Sequence, residues 1–288
     1  MANGIIIIDK PADWTSMDVC GKLRRLLDER RIGHAGTLDP MATGVLPVFV
    51  GRATRAVEFA ESGGKTYVAG LKLGLETDTQ DSTGQVLAER PVTCDRAAVE
   101  AVLEGFRGDI LQVPPMYSAL KVDGKKLYEL ARKGREVERQ PRPITIHELE
   151  LGEQLSGTDW ELRVLCSKGT YIRTLCHDIG AALGCGGAMA ALRRTKVAGF
   201  SIEQAVTLEQ VQAADDPTAL LALVDGCFAD LPAVTLTGAQ AKCVRNGAAF
   251  TDRRGPGRWR AYGPEGEFLA LTETDGEKMS VVKSFFEV

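Results

Sequence analysis

A glycine-rich segment with one aspartate-proline pair constrains this chain more than any other feature. Residues 33–52 carry glycines at positions 33, 36, 44 and 51, and Asp39 lies directly before Pro40. Proline fixes its own φ angle and keeps the preceding residue out of the helical region, while glycines allow tight turns and close approach of a ligand. The apolar run at 45–50 is typical of a buried strand. An aspartate-proline pair alone usually marks only a turn, but this whole pattern predicts a shaped loop that presents one carboxylate.

The composition is that of an ordinary globular protein. Of the 288 residues, 44% are hydrophobic and 26% are charged, and this length allows a large domain with or without a smaller one. No run of 18 apolar residues is present, so we expect no membrane span, and the first residues lack the basic start of a signal peptide. The seven scattered cysteines form no Cys-x-x-Cys pair, which predicts reduced thiols, no zinc site and a cytoplasmic protein.

The net charge of −4 does not point to nucleic acid, so an RNA substrate would need local positive charge. Two segments supply it. Residues 121–142 hold eight lysines and arginines against four acids, and residues 242–260 hold six against one. Such runs are commonly only solvated faces, and that interpretation stays open here.

Helical and strand patterns are mixed along the chain without a regular βαβ alternation, which predicts an α+β fold. Predicted strands fall at 5–8, 45–50, 66–75 and 160–166, and predicted helices begin after Thr15 or Ser16 and cover 95–106, 172–183 and 201–228. A boundary near 230 predicts a large domain, 1–230, followed by a small, mainly β domain, 231–288. Prolines, glycines and dense charge at about 114–143 predict a mobile excursion from the core.

The segment around Asp39 closely resembles the signature of the TruB family of tRNA pseudouridine synthases, Gly-His-x-Gly-x-Leu-Asp-Pro-x-Ala-x-Gly-x-Leu. Further resemblances follow in the family's order, at Asp9-Lys10-Pro11 with Thr15-Ser16, Lys65-Thr66-Tyr67, 74–84, 166–175 and 192–195. The stretch Ala12-Asp13-Trp14 lacks the glycine of the family pattern, which leaves the turn geometry there open. Together the matches span about residues 5–200.

The resemblance implies a mixed, largely antiparallel sheet core with flanking helices. The excursion at 114–143 would be an insertion that closes over RNA, and 231–288 would be a PUA-like RNA-binding domain. The implied activity is isomerisation of uridine to pseudouridine in the T-loop of tRNA, at tRNA position 55, after the base is flipped out. No cofactor or metal is implied. The expected partner is tRNA, bound through its T-arm by a monomer that needs no protein partner.

The resemblance also implies three catalytic residues. Asp39 would attack the nucleotide, because a carboxylate is a sufficient nucleophile or charge partner for this redox-neutral exchange of bonds. Arg173 would keep Asp39 ionised, since a neighbouring guanidinium lowers a carboxylate pKa by roughly 1–3 units. Tyr67 would stack on the uracil and assist proton transfer at the sugar. Base–aromatic stacking is worth roughly 1–3 kcal/mol.

Five further residues are predicted to bind substrate. His34 would fill the gap left in the folded RNA loop, and Tyr171 and Leu192 would complete an apolar wall. Asp81 would contact RNA or brace the site, although a turn cap explains it nearly as well. Lys10, in the N-terminal motif, completes the set.

Three other functions compete with this interpretation. A non-catalytic tRNA-binding or tRNA-folding protein would use the same basic surfaces without needing an ionised Asp39. A guide-RNA-dependent relative would usually lack the basic insertion, so the segment 114–143 favours the stand-alone enzyme. A metal-dependent hydrolase would need metal ligands, and the spacing of the available residues matches no known metal-binding motif. These residues are His34, Asp39, Asp78, Asp81, His177 and Asp178.

Overall fold

The computed structural model describes residues 2–61, 63–122 and 124–286. Met1, Ser62, Asp123, Glu287 and Val288 fall within the predicted domains or the predicted insertion and lie outside the described residues. The described residues form two main β-sheets, of nine and five strands, with helices against them, so the predicted α+β class is confirmed.

The helices are α1 (Ser16–Leu26), α2 (Val57–Glu61), α3 (Arg96–Leu103), α4 (Leu127–Ala131), α5 (Ile172–Ala182), α6 (Leu208–Ala213) and α7 (Gly238–Arg245). The strands of the first half are β1 (Gly4–Lys10), β2 (Ile32–His34), β3 (Thr43–Val50), β4 (Lys65–Leu73), β5 (Leu75–Thr77), β6 (Val86–Glu89), β7 (Gly108–Gln112), β8 (Lys121–Val122) and β9 (Lys125–Lys126). Those of the second half are β10 (Arg142–Gln154), β11 (Asp159–Cys166), β12 (Gly187–Val197), β13 (Phe200–Ser201), β14 (Ala233–Thr235), β15 (Phe250–Thr251), β16 (Gly257–Tyr262), β17 (Phe268–Thr274) and β18 (Lys278–Ser284).

The larger sheet runs in the order β1-β3-β12-β4-β11-β10-β7, with β2 beside β3 and β13 beside β12. Its pairs along this path are antiparallel, except that β12 and β3 run parallel. This agrees with the largely antiparallel core that the resemblance implied. β4 lies between β11 and β12, so it brings Tyr67 into register with Arg194 on one neighbour and Val164 on the other.

Helix α1 begins where the sequence predicts. Thr15 is its N-cap: its hydroxyl accepts from the Asp18 backbone N–H at 3.1 Å, and the Asp18 carboxylate accepts from the Thr15 N–H at 2.9 Å. Such a capping box contributes about 1 kcal/mol. Val19 and Leu23 then bury one face of the helix against the sheet. The first residue of the helix, Ser16, is thereby fixed beside the loop that carries Asp39.

The smaller sheet, in the order β14-β16-β17-β18-β15, lies in the C-terminal part of the chain. Helix α7 packs on it over a core of its own that includes Val244, Leu269 and Met279. The sheet also reaches the larger one, since Leu271 and Phe285 share a cluster with Phe49. The mainly β character predicted after residue 230 is therefore present.

The prediction of a helix across 201–228 is wrong. That stretch holds only the short helix α6 among extended segments and 3-10 turns at Pro217–Leu220 and Val224–Phe228. Its helix-like apolar spacing is interrupted, because Ala214 is extended and Pro217 starts a separate turn. Strand β12 went unpredicted, because its alanines, methionine and leucine favour helix and pairing with two distant strands overrides that preference.

Candidate active site

The loop 35–42 joins β2 to β3 and carries Asp39. Buried side chains hold its backbone on both sides of the aspartate. The Ser16 hydroxyl accepts from the Leu38 N–H at 2.9 Å, and Arg194 Nη2 donates to the Gly36 carbonyl at 2.8 Å. After Asp39 itself, the Asp39 carbonyl closes a turn by accepting from the Ala42 N–H at 3.0 Å. These hydrogen bonds hold the predicted loop in one conformation.

The departure from the family pattern at Asp13 is accommodated by its backbone. Asp13 adopts a positive φ of 64°, and its N–H donates to the Pro40 carbonyl at 2.9 Å. Aspartate tolerates this left-handed conformation better than most residues do. The turn that a glycine would make is therefore kept, and it supports the catalytic loop.

Lys10 is completely buried, and its Nζ donates to the carbonyls of Pro11, Trp14 and Pro40 at 2.8, 2.6 and 3.0 Å. Burial lowers the pKa of Lys10 to about 8, although the nearby Asp13 and Asp39 oppose this. These contacts favour a role in tying the N-terminal segment to the Asp39 loop. Direct contact of Lys10 with substrate stays a prediction.

Asp39 and Arg173 meet as the sequence predicts. Arg173 Nε lies 3.0 Å from Asp39 Oδ2, and its Nη2 lies 3.4 Å from Oδ1. Such a two-point contact fixes the plane of the carboxylate. The Asp39 side chain is 38% exposed, whereas that of Arg173 is 8% exposed, so the carboxylate faces open space and the guanidinium lies behind it.

Arg173 also joins the catalytic loop to two other segments. Its Nη1 donates to the Thr79 carbonyl at 3.1 Å and lies 3.6 Å from Asp81 Oδ2, and its Nη2 donates to the Tyr117 carbonyl at 2.8 Å. Tyr117 belongs to the predicted insertion. A single guanidinium therefore connects the Asp39 carboxylate, the loop 78–85 between β5 and β6, and the predicted insertion.

Asp81 is buried and has protein partners on both carboxylate oxygens. Its Oδ1 accepts from the Thr79 hydroxyl at 2.9 Å and from the N–H and hydroxyl of Thr83 at 3.0 and 2.6 Å. Its Oδ2 faces Arg173. Of the three roles considered for Asp81, these contacts favour bracing the site through a local turn.

The pKa of Asp39 moves opposite to the sequence-based expectation. Burial raises the pKa of Asp39 above its ordinary value, and Asp81 adds to this, while Arg173 and Lys10 oppose it. Arg173 thus acts in the predicted direction, but the loss of water around the carboxylate outweighs it. A carboxylate that is partly desolvated and paired with an arginine is a suitable nucleophile when it is ionised.

A cavity of about 1350 Å³ opens in front of Asp39. It brings together most of the predicted site residues, since its lining includes Asp39, Tyr67, Asp81, Tyr171, Arg173 and Leu192. Tyr67 is 6% exposed, and burial raises its pKa to about 12, so it is a neutral phenol. The cavity is larger than one nucleotide needs, which leaves room for neighbouring nucleotides.

The cavity lining also includes several cations and aromatic rings, together with acids that include Glu58 and Glu61. Arg132, Arg142 and Lys168 line it together with Tyr117 and Tyr128. The Arg132 guanidinium carbon lies 5.3 Å from the centre of the Tyr128 ring. Cations beside aromatic rings suit a ligand with phosphates and flat bases.

His34 is not among the residues that line this cavity. It lies on β2 opposite Val48, and burial lowers its pKa, so the ring is neutral. Its Nδ1 is buried and has no hydrogen-bond partner among the residues the structure describes. Contact of His34 with RNA bases stays a prediction.

Sequence reasoning missed two residues that shape the site, Ser16 and Arg194. Ser16 was considered as a possible helix cap and as part of the N-terminal motif, without a role at the Asp39 loop. Arg194 follows Arg193 on β12, and adjacent residues of a strand face opposite sides. Arg193 pairs with Asp9 at 2.8 Å on the more exposed side, while Arg194 is fully buried. If the strand had been predicted, its two consecutive arginines would have indicated that one of them faces the protein interior.

Two protein-family models match the sequence of this chain. A family model described as the N-terminal domain of TruB family pseudouridylate synthases matches residues 24–172. A second, described as the C-terminal domain of tRNA pseudouridylate synthase B, matches residues 173–225. The second match ends before the smaller sheet begins.

Curated relatives match at high identity over most of their length. The tRNA pseudouridine synthase B of Azoarcus sp. strain BH72 is 51% identical over 251 residues, which cover 86% of this chain and 83% of that protein. Those of Aromatoleum aromaticum and Syntrophomonas wolfei are 46% and 45% identical, covering 96% and 95% of this chain and 90% and 94% of theirs.

Solved structures are similar as well. A chain from a Cbf5-Nop10-Gar1 complex superposes with a TM-score of 0.75 at 27% identity, covering 99% of this chain and 85% of that one. A chain from an H/ACA RNP bound to a substrate RNA containing 2'-deoxyuridine gives 0.73 at 25% identity, with coverages of 99% and 86%. No helix in the described ranges is long and apolar enough to cross a bilayer.

Proposed function

The chain belongs to the TruB family of pseudouridylate synthases, and we propose that it isomerises the T-loop uridine of tRNA, at tRNA position 55, to pseudouridine. Pseudouridine formation in tRNA is the activity named for relatives that are 45–51% identical. The observation that carries the proposal here is the Asp39–Arg173 pair, which faces a cavity large enough for a flipped nucleotide.

Asp39 is the proposed attacking group. The reaction breaks the bond between N1 and C1′, turns the base, and joins C5 to C1′; the proton on C5 is lost and N1 gains one. Attack of the carboxylate at C1′ or at C6 would satisfy this balance, and both fit an open carboxylate. Arg173 holds Asp39 in one orientation and favours its ionised form.

Tyr67, Tyr171 and Leu192 form the proposed base pocket. Each lines the cavity, and Tyr67 and Leu192 lie on the neighbouring strands β4 and β12. Flipping a nucleotide costs a few kcal/mol in lost stacking, which a fitted aromatic pocket recovers. The Tyr67 hydroxyl is proposed to assist proton transfer, so its loss should slow chemistry more than it weakens binding.

The insertion and the basic rim are proposed to bind the tRNA backbone. Arg132, Arg142 and Lys168 line the cavity, which supports their proposed contact with phosphates flanking the flipped nucleotide. The smaller sheet, with the cations of the 242–260 segment, is proposed as a PUA-like second contact. We further propose that the protein acts in the cytoplasm as a monomer, without a protein partner, metal or cofactor. His34 and Lys10 keep their proposed place in substrate recognition.

The test is modification of one tRNA by the protein alone. Wild type and Asp39→Asn are incubated with an unmodified transcript, without guide RNA or metal, and pseudouridine is mapped by carbodiimide labelling. We expect one modified T-loop position with wild type and none with Asp39→Asn, while the tRNA dissociation constant stays within about threefold.

Asp28→Asn is the matched control, because Asp28 is exposed and asparagine tolerates its φ of 45° equally well. It should modify tRNA at the wild-type rate. Tight tRNA binding without modification by any variant would instead identify a non-catalytic tRNA-binding protein. Modification elsewhere than the T-loop would contradict the proposed substrate position while leaving the chemistry intact.

A further inference from the structure

The burial of the Arg194 guanidinium is energetically unfavourable, and none of the roles proposed above explains it. The side chain is fully buried in the middle of the larger sheet, where an ionised group is strongly destabilising unless its hydrogen bonds and charge are compensated. Nε donates to the Val45 carbonyl at 2.7 Å and Nη2 donates to the Gly36 carbonyl at 2.8 Å. Nη1 is buried too, and the protein groups described offer it no acceptor.

The two accepting carbonyls flank the catalytic loop. Gly36 lies three residues before Asp39 and Val45 lies six residues after it. The guanidinium thus spans the base of the loop from inside the protein. Gly36 packs so closely on it that a Cβ atom there would lie 3.1 Å from Nη1, and Gly36 itself has a φ of +73°. Nη1 therefore lies at the loop, next to the part of the cavity wall that Gly36 helps to form.

Tyr67 is the neighbour of Arg194 across the strands. The two residues are direct register partners on β4 and β12, so their side chains leave the same face of the sheet about 5 Å apart. Tyr67 lines the cavity, whereas Arg194 lies behind it. The phenol raises the pKa of Arg194, against the larger effect of burial, and Arg194 in turn lowers the pKa of Tyr67. Tyr67, in the proposed active site, is therefore the neighbour that opposes the effect of burial on the pKa of Arg194.

We propose that Arg194 is a positioning residue of the reaction, which sets the Tyr67 hydroxyl and the Asp39 loop in one arrangement from behind the cavity. This inference rests on the proposed function. Two of its donors hold backbone carbonyls on either side of Asp39, and the guanidinium charge favours partial negative charge on the Tyr67 oxygen whenever that hydroxyl shares its proton with the nucleotide. Arg194 itself touches no substrate.

The proposal predicts that Arg194 acts through Tyr67, and a double-mutant cycle measures this. Single-turnover modification rates and tRNA dissociation constants are determined for wild type, Arg194→Gln, Tyr67→Phe and the double variant. We expect Arg194→Gln to slow modification about 100-fold with tRNA affinity changed less than threefold, as for loss of one preorganised donor. In the Tyr67→Phe background the same change should cost only about fivefold, because coupled residues are not additive.

Arg193→Gln is the matched control: it removes the adjacent arginine of the same strand, which pairs with Asp9 instead. It should leave the rate unchanged. Arg194→Lys is included because it keeps the buried charge, and the same cycle with lysine serves if glutamine prevents folding, as judged by circular dichroism. Lysine lacks the planar fork, so we expect partial rescue, about tenfold below wild type.

The outcomes separate this inference from the proposed function. If Tyr67→Phe slows modification but the effects of the two substitutions multiply, Arg194 is only structural and the inference is wrong, while the proposed function stands. If Tyr67→Phe has no effect on the rate, the role of Tyr67 and this inference both fail. If wild type modifies no tRNA, the proposed function fails first.

Discussion

Two irregular segments border the same cavity, and they are held in opposite ways. The loop 35–42 is fixed from below by buried side chains, namely Lys10, Ser16 and Arg194. Half of the described residues of the segment 113–141 are exposed, and the segment holds one turn of helix, α4, and a two-residue pairing of β8 with β9. The first segment carries the proposed nucleophile, and the second carries the cations.

The difference follows from what each segment must do. A nucleophile gains from being held in one place, because positioning removes much of the entropy cost of reaction. A strand of RNA must enter and leave, so the surface that covers it gains from loose attachment. The two segments touch through Arg173, whose Nη2 reaches both Asp39 and the Tyr117 carbonyl. The predictions below test whether rigidity and mobility are divided in this way.

The largest effect is expected from Arg173→Met. It removes the two-point contact with Asp39 and the bond to Tyr117, so both segments lose their common partner. We expect the single-turnover rate to fall about 1000-fold, as for loss of a preorganised charged donor. Quench-flow measurement at saturating tRNA would show it.

Arg163→Met is the control for Arg173, since Arg163 is 64% exposed on β11 and pairs with Glu161. Its rate should match wild type. A loss below tenfold in Arg173→Met would mean that Asp39 needs no arginine to stay oriented and ionised, and the contrast between the two segments would lose its common link.

The next largest effect concerns pH. Burial raises the folded-state pKa of Asp39, and the reaction needs the ionised form, so activity is lost as the pH falls through that raised pKa. The rate should drop tenfold per pH unit on the acid side, with a midpoint above the value of about 3.9 for an unperturbed aspartate. Single-turnover rates at subsaturating tRNA between pH 3.5 and 8 would measure the midpoint for the free enzyme.

The direction of the pKa shift of Asp39 distinguishes the effect of burial from the effect of pairing with Arg173. If Arg173 dominated, the midpoint would lie below the ordinary value of about 3.9. Such a midpoint, with folding intact by circular dichroism, would contradict burial as the dominant influence on the Asp39 carboxylate.

Local signals in the sequence were enough for the parts of the site that local structure decides. The Asp39-Pro40 pair, the Thr15 cap and the stripe of α5 each depend on neighbours within a few residues, and all are where they were predicted. The Asp39–Arg173 pair joins residues 134 positions apart, and resemblance rather than pattern brought them together.

Features that depend on distant pairing were out of reach. Arg194 is buried because β12 inserts between β3 and β4, and the sequence of β12 favours a helix. The raised pKa of Asp39 was missed for a related reason: a partner charge can be guessed from a motif, whereas the loss of water depends on everything packed around the site.

Lys10→Met should lower the stability of the protein. The substitution leaves three buried carbonyls without their donor, although it also removes a desolvated charge. We expect a net loss of about 2 kcal/mol in the free energy of unfolding. Urea unfolding would measure it, with Lys196→Met on the exposed side of β12 as the control. No loss of stability would show that the Asp39 loop is held without Lys10.

The smallest effect is expected in the segment 113–141. Lys133 and Arg135 are exposed there, and replacing both with glutamine removes two proposed phosphate contacts without touching the cavity. The tRNA dissociation constant should rise about fivefold, and its logarithmic dependence on salt should become shallower by about 1.5. The rate at saturating tRNA should stay the same. The paired change Arg25→Gln and Arg30→Gln, on exposed residues in and after α1, should alter neither quantity. If instead the saturated rate fell with unchanged affinity, the segment would take part in chemistry, and the division between a fixed and a mobile border of the cavity would be wrong.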